Sequence, residues 1–272
     1  MIISKLIKST LTATLLVSAL ATAASAKDGV LRIGTEGDAP KFSMADASGN
    51  VTGFDADIAN GICAELKLKC EFVVQAFSSL VPSMDSDRFD VIISGLSITD
   101  ERAKKIDYSI PYATTPQYFV VAKDSPIAKL TTLAEVQKAL AGKSVGVVNG
   151  TTYAKFVQKT VPSADLKTYD ATTQQLADLS SGRIDAAYSD SPTVMDFLAT
   201  SDGANFAKVE VKVMAMDDPA TLGKGMGVGM KKGNTELKTK IDTALCKMIN
   251  DGQVKKASMQ WFQDDYTIPC KK

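Results

Sequence analysis

The 272-residue chain has no histidine, a single tryptophan and four cysteines, none of them in a Cys-x-x-Cys pair. Without histidine, Ser-His-Asp and Cys-His nucleophiles are excluded, and the commonest general base is missing. Carboxylate or lysine catalysis stays open, but a hydrolase is disfavoured. A zinc site would lack both its usual nitrogen ligand and its usual cysteine spacing, so no metal and no cofactor are expected. A charge surplus is also lacking: 31 Lys and Arg oppose 31 Asp and Glu. Neither nucleic acid nor an anionic membrane surface is therefore expected as a partner. No stretch reaches the ~20 apolar residues that cross a bilayer as a helix.

What is present begins with an export signal over residues 1–26. Lys5 and Lys8 form a basic start, Leu11 to Ala21 an apolar centre, and Ala24-Ser25-Ala26 a small-residue cleavage site, with cleavage expected after Ala26. Two of the 31 basic residues and none of the 31 acids fall in that leader, so the exported chain carries a net −2. Export makes disulfides legible. Cys63 and Cys70 lie seven apart, at a predicted helix end and strand start, while Cys246 and Cys270 close the carboxyl-terminal region. Four cysteines allow three pairings that sequence does not choose between; the local one, 63–70 and 246–270, is the simplest.

The stretch Ser94-Gly-Leu-Ser-Ile-Thr-Asp-Glu-Arg102 reads as a cradle for a small anion. Before it, Phe89 to Ser94 has the apolar, β-branched pattern of a buried strand. After it, Thr99 to Lys105 reads as a helix start with a capping threonine and acids in its first turn. Ligands bind at the carboxyl ends of strands in open α/β sheets, and helix amino termini attract anions. Ser97 would add a hydroxyl, and Arg102 a fork shaped for a carboxylate.

Strand and helix patterns alternate in two runs. The first comprises strand Leu31–Thr35, helix Asp55–Leu66 with Ile58, Ile62 and Leu66 at helical spacing, strand Cys70–Val74, helix Ser79–Ser86 and the strand before Ser94. The second comprises strand Lys143–Val148, helix Tyr153–Lys159, strand Leu166–Tyr169, helix Thr173–Ser180 and strand Gly182–Asp190. Asp87-Arg-Phe-Asp-Val-Ile-Ile-Ser-Gly95 and Gly182-Arg-Ile-Asp-Ala-Ala-Tyr-Ser-Asp190 echo one another, which predicts two lobes of similar construction with a cleft between them. Tyr118–Lys123 is expected to cross between the lobes and Gly223–Gly229 to carry the chain back. The latter is no phosphate loop, since no Lys-Ser/Thr pair follows it. Helices Thr235–Ile249 and Ala257–Phe262 would then complete the first lobe. The expected division is 27–116 and 226–272 for lobe one and 117–225 for lobe two.

Four motifs taken in order, Gly53-Phe-Asp-Ala-Asp57, Ser94–Arg102, Gly146-Val-Val-Asn-Gly-Thr-Thr152 and Gly182–Asp190, resemble the periplasmic solute-binding proteins for polar amino acids that serve ABC importers. The resemblance spans the mature chain and is strongest toward lysine/arginine/ornithine, histidine and opine binders, whose cysteine pair resembles Cys63 and Cys70. It implies the type II periplasmic-binding-protein fold, a mixed sheet flanked by helices in each lobe, and a periplasmic monomer that hands its ligand to a membrane permease. It also implies a site. The ligand α-carboxylate would meet Arg102, Ser97 and the backbone near Thr152; the α-ammonium would meet Asp190, with Ser94 or the Gly95 carbonyl. Glu36 would face a cationic side chain and Phe77 would form a wall. Ala39 stands where many relatives carry a stacking tyrosine, so Tyr153, Gln117 or Phe42 would fill that space, or the ligand is larger. Two rivals remain: a cyclohexadienyl dehydratase-like enzyme with Glu36 as its acid, and a ligand-sensing partner of a separate signalling receptor.

Overall fold

Two five-stranded sheets organise the computed structural model, which describes residues 29–270; the expected leader and its cleavage point lie outside the described residues. In chain order the strands are β1 (Val30–Thr35), β2 (Asp38–Ala39), β3 (Ser43–Ala45), β4 (Val51–Thr52), β5 (Lys69–Val74), β6 (Val91–Ile92), β7 (Ile106–Tyr108), β8 (Gln117–Ala122), β9 (Ser144–Val148), β10 (Asp165–Tyr169), β11 (Ala186–Asp190), β12 (Phe206–Lys208) and β13 (Gly229–Lys231). The helices are α1 (Phe54–Leu66), α2 (Phe77–Ser83), α3 (Leu133–Ala139), α4 (Thr152–Thr160), α5 (Thr172–Ser180), α6 (Ser191–Leu198), α7 (Pro219–Leu222), α8 (Thr235–Asn250) and α9 (Gln253–Phe262). The first sheet runs β5-β1-β6-β13-β7 and the second β10-β9-β11-β8-β12.

Each sheet contains the same unit. Strands β5, β1 and β6 are parallel, followed by antiparallel β13; strands β10, β9 and β11 are parallel, followed by antiparallel β8. The echoed stretches enter the third parallel strand in both. Asp90 Oδ2 accepts the Arg32 amide at 2.9 Å and Asp185 Oδ2 accepts the Ser144 amide at 2.8 Å, so each aspartate ties its strand to the start of the neighbouring one. The apolar residue before each aspartate lies over a glycine of that neighbour: a Cβ on Gly34 would sit 2.8 Å from the Phe89 ring, and one on Gly146 would sit 2.5 Å from Ile184. The registers match as well, Gly34 opposite Ile92 and Gly146 opposite Ala187.

Side chains alternate across each sheet, so each strand feeds two cores. Val91 and Ile93 join the cluster of Leu31, Ile33 and Ile58 under α1, α8 and α9, while Ile92 packs with Phe77, Leu80 and Phe89 on the α2 side. In the second sheet Phe119 and Val121 face Phe156 and Tyr188, and Val120 faces Leu179 and Phe197. Disulfides join Cys63 to Cys70 and Cys246 to Cys270.

Two expectations need correction. Tyr118–Lys123 does not cross between the sheets: β8 pairs along its length with β11 and β12, inside the second sheet. The chain passes over earlier, between Tyr108 and Gln117, where Ala113 bridges to Met226 of the returning strand. Thr99–Lys105 is not the start of an α-helix. It makes a three-residue 3₁₀ turn, Arg102–Lys104, because buried Ile106 and Tyr108 are drawn straight into β7 beside β13.

Helix α1 starts without a side-chain cap, from Gly53 at φ 123°. Asp55 and Asp57 complement its positive end. A Cβ on Gly53 would lie 2.2 Å from the Phe42 carbonyl oxygen, in a backbone region that side chains avoid. Gly53→Ala should cost at least about 2 kcal/mol in denaturant titration. An unchanged midpoint would show that the Phe42 backbone moves aside freely.

Candidate ligand site

The strand ends of both sheets converge on one cavity between them. From the first side it is lined by Glu36, Phe77, Ser94, Gly95, Ser97 and Arg102; from the second by Thr152, Tyr153 and Asp190. Gln117, expected among them, is absent from the wall. It is buried, and its amide donates to the Thr115 carbonyl at 3.0 Å, which turns it into the crossing strand.

Each lining residue is held by a traceable contact. Glu36 follows β1, and its backbone N–H donates to Ser94 Oγ at 2.9 Å, which ties the ends of β1 and β6 together. Gly95, at φ 55°, donates its N–H to Asp55 Oδ1 at 3.1 Å. Arg102 donates to the carbonyl of Ser97 at 3.0 Å and, across the cleft, to the carbonyl of Gly150 at 2.8 Å. Its guanidinium lies 5.4 Å from the centre of the Phe77 ring, within cation–π range. Burial draws the guanidinium below its ordinary value, opposed by Tyr108 and Tyr153, and it stays charged.

Asp190 occupies the N-cap position of α6, where an aspartate ordinarily accepts a helix N–H. It makes no such bond. Its carboxylate instead accepts the Thr115 hydroxyl at 2.7 Å on one oxygen and the Tyr153 hydroxyl on the other. Burial raises its pKa, and those two donors pull it back. Of the three residues weighed for the space beside Ala39, Tyr153 is the one whose polar end reaches into the site. Phe42 also touches the cavity, but its ring packs against Phe54 and Phe262 in the core.

Helix-dipole assistance comes from the second sheet. The three-residue turn at Arg102 offers no helix terminus, whereas α4 begins at Thr152 with no side-chain cap and points its first turn at the cavity.

Two acids escaped the sequence reading. Asp55 is 1% exposed, with Oδ2 unpartnered; burial pushes it up to about 7 against the pull of the Gly95 N–H, and Asp190 adds to the rise. The available signal was its spacing, since Asp55 falls on the face of α1 that carries Ile58 and Ile62. Asp38 reaches across the cleft, where its Oδ2 accepts from the Thr173 hydroxyl at 2.9 Å and the Thr173 N–H at 3.3 Å. Glu36 is 6% exposed with Oε1 unpartnered. Burial pushes it up to about 8, reinforced by Asp38, Asp55 and Asp190. Lys41–Asp196, at 3.0 Å, and Glu101–Lys155 join the two sides at the rim. Among the described residues no group of three or more acids or cysteines is arranged to hold a metal ion.

A family model described as bacterial extracellular solute-binding proteins, family 3, matches residues 31–264. The chain is 35% identical over 261 residues to the lysine/arginine/ornithine-binding periplasmic protein of Escherichia coli, covering 94% of this chain and 96% of that one. Among solved structures, an ancestral arginine-binding protein bound to arginine is similar at TM-score 0.76 and 33% identity, over 86% of this chain and 98% of that one. An ancestral amino acid-binding protein, a precursor of cyclohexadienyl dehydratase, is similar at TM-score 0.74 and 31% identity, over 86% and 96%.

The Asp38 contact is a helix cap supplied from across the cleft. Helix α5 has no side-chain cap of its own at Ala171, and Asp38 satisfies the N–H of its second residue. Loss of a cap costs about 0.5–2 kcal/mol. Asp38→Ala should therefore speed amide exchange at Thr173 by about 2–30-fold, leaving β9 and β10 unaffected. Equal exchange at Thr173 in both proteins would mean that the cap contributes nothing in solution.

Proposed function

Because the chain belongs to the bacterial extracellular solute-binding proteins, family 3, we propose that it is an extracytoplasmic receptor for an amino acid with a basic or polar side chain, or for a derivative such as an opine. It works as a monomer and delivers its ligand to an ABC permease after export and cleavage behind Ala26. The observation that carries the ligand class is the division of charge in one cavity. A guanidinium from the first side and a carboxylate from the second, Arg102 and Asp190, complement the two ends of a zwitterion.

The α-carboxylate lies between Arg102, the Ser97 hydroxyl and the open amino terminus of α4 at Thr152. The α-ammonium lies at Asp190, assisted by Ser94 or the Gly95 carbonyl. The side chain runs along Phe77 toward Glu36. Lobe one comprises 27–116 and 226–272, and lobe two 117–225. Ligand binds groups from both, so its free energy favours the closed arrangement in which they meet.

An enzyme reading has one observation in its favour. Glu36 is buried and its pKa is pushed up to about 8, which keeps it protonated as a general acid must be. Asp190 argues against it, because a carboxylate with two donors already in place suits an ammonium that a prephenate-like acid need not carry. Release of carbon dioxide and water from such an acid would favour the enzyme.

Arg102→Ala should weaken binding by about a hundredfold to several thousandfold, since removing one member of a buried charge pair costs about 3–5 kcal/mol. Titration calorimetry that records less than a tenfold loss removes Arg102 from the site. In a thermal-shift screen of the common amino acids, arginine, lysine, ornithine or histidine should give a larger shift than glutamate or leucine. A largest shift from an acidic or aliphatic amino acid, with none from the basic ones, would end the reading of Glu36 as the side-chain partner.

A further inference from the structure

Four carboxylates crowd the first side of the cleft and its opposite wall, and they are not equivalently supplied with donors. Asp38 holds the Thr173 hydroxyl and amide, Asp55 the Gly95 amide, and Asp190 the hydroxyls of Thr115 and Tyr153. Asp55 keeps its other oxygen unpartnered, but Glu36 alone of the four has no donor on its carboxylate at all, and its Oε1 is buried. Nor does a cation compensate it. The charges that act on it are Asp38 from β2, Asp55 from α1 and Asp190 from the end of β11, all of one sign. Arg102 lines the same cavity, but its guanidinium donates to the carbonyls of Ser97 and Gly150.

A buried carboxyl with neither donor nor cation is tolerable only when it carries a proton. In that form it is a donor as well as an acceptor. Resting on the amino-acid receptor reading above, we infer that Glu36 exchanges its proton for the ligand's charge, so that one site takes two side-chain classes. Ionised, Glu36 receives a guanidinium or alkylammonium; protonated, it donates to the oxygen of a carboxamide.

The consequence is a proton count that differs between ligands. With the cleft closed and no cation facing it, Glu36 holds its proton below about pH 8. A cationic side chain favours the ionised form and expels that proton, whereas a carboxamide keeps it, so affinity for the cation relative to the carboxamide rises with pH and levels off above about 8. Asp190 lines the same cavity and Asp55 holds the Gly95 N–H; both ligands close the same cleft over them, so their contribution cancels in the comparison.

The experiment is titration calorimetry with arginine and with glutamine from pH 6 to 8, in two buffers of different ionisation enthalpy. Relative to glutamine, arginine should gain about tenfold in affinity for each pH unit and release about one proton more at pH 7. Glu36→Gln imitates the protonated carboxyl, so arginine should lose that excess release and, at pH 8, about 10–100-fold in affinity. The wild-type proton count decides the question even if that variant does not fold. Equal proton release by arginine and glutamine, or an unchanged difference between them in Glu36→Gln, overturns this inference and leaves the receptor reading standing. Failure of both amino acids to bind at every pH overturns this inference, and the receptor reading falls with it only if no amino acid gives a shift in the thermal screen.

Discussion

A carboxylate taken out of water must find donors, a cation or a proton, and this requirement orders the cleft. Asp190 gives up its helix-cap bond and takes hydroxyls from Thr115 and Tyr153 instead. Asp55 fastens the Gly95 loop from below, and Asp38 reaches the uncapped end of α5 on the far side. Each solution has a mechanical by-product. Asp55 fixes the loop that bears Ser94 and Ser97, and Asp38 adds a bond between the two sides of the cleft. Arg102 acts in the same way with the sign reversed, since its fork joins the carbonyl of Ser97 to that of Gly150. The groups suited to read a charged ligand are thus the groups that hold the two sides together. On the proposed receptor reading, that overlap would couple ligand exchange to closure.

The two-lobed organisation was legible in the sequence because its repeated unit is specified by a few residues with fixed jobs. The echoed Arg-apolar-Asp needs an aspartate that clamps the neighbouring strand and an apolar side chain that fits over a glycine. Both partners are present twice, Asp90 with Gly34 and Phe89, Asp185 with Gly146 and Ile184. Most of the candidate cavity's lining was named by the resemblance, since strand ends and the loops behind them carry its motifs. Glu36, Ser94, Arg102 and Asp190 do meet at one cavity.

What escaped the sequence was set by distant neighbours. Thr99 to Arg102 has a helix-start pattern, and Thr99 Oγ1 does accept the Arg102 amide at 3.2 Å. The helix stops after one 3₁₀ turn because β13, more than a hundred residues later, recruits Ile106–Tyr108 as its edge partner. Gln117 was offered to fill the space beside Ala39, yet its position in β8 directs the amide to Thr115. Asp55 could be seen to lie on an apolar helix face, but its partner, the Gly95 amide, comes from another strand. Asp38 and Thr173 are 135 residues apart, and nothing local to either announces the contact.

On the proposed receptor reading, the duplicated unit would also account for how one architecture meets the two unlike ends of a ligand. Ser94 and Ser189 occupy the same position of the repeat, four residues after its aspartate, and both border the cavity. The next position differs: Gly95 on one side and Asp190 on the other. Glycine permits the left-handed turn at φ 55° that brings the backbone N–H onto Asp55. Aspartate at the equivalent place begins α6 and keeps its carboxylate for the cavity. The fold supplies two matching strand ends facing one another, and a single substitution between them makes one end a backbone loop and the other an acid. The polarity of the site therefore comes from the point at which the two halves of the repeat part company.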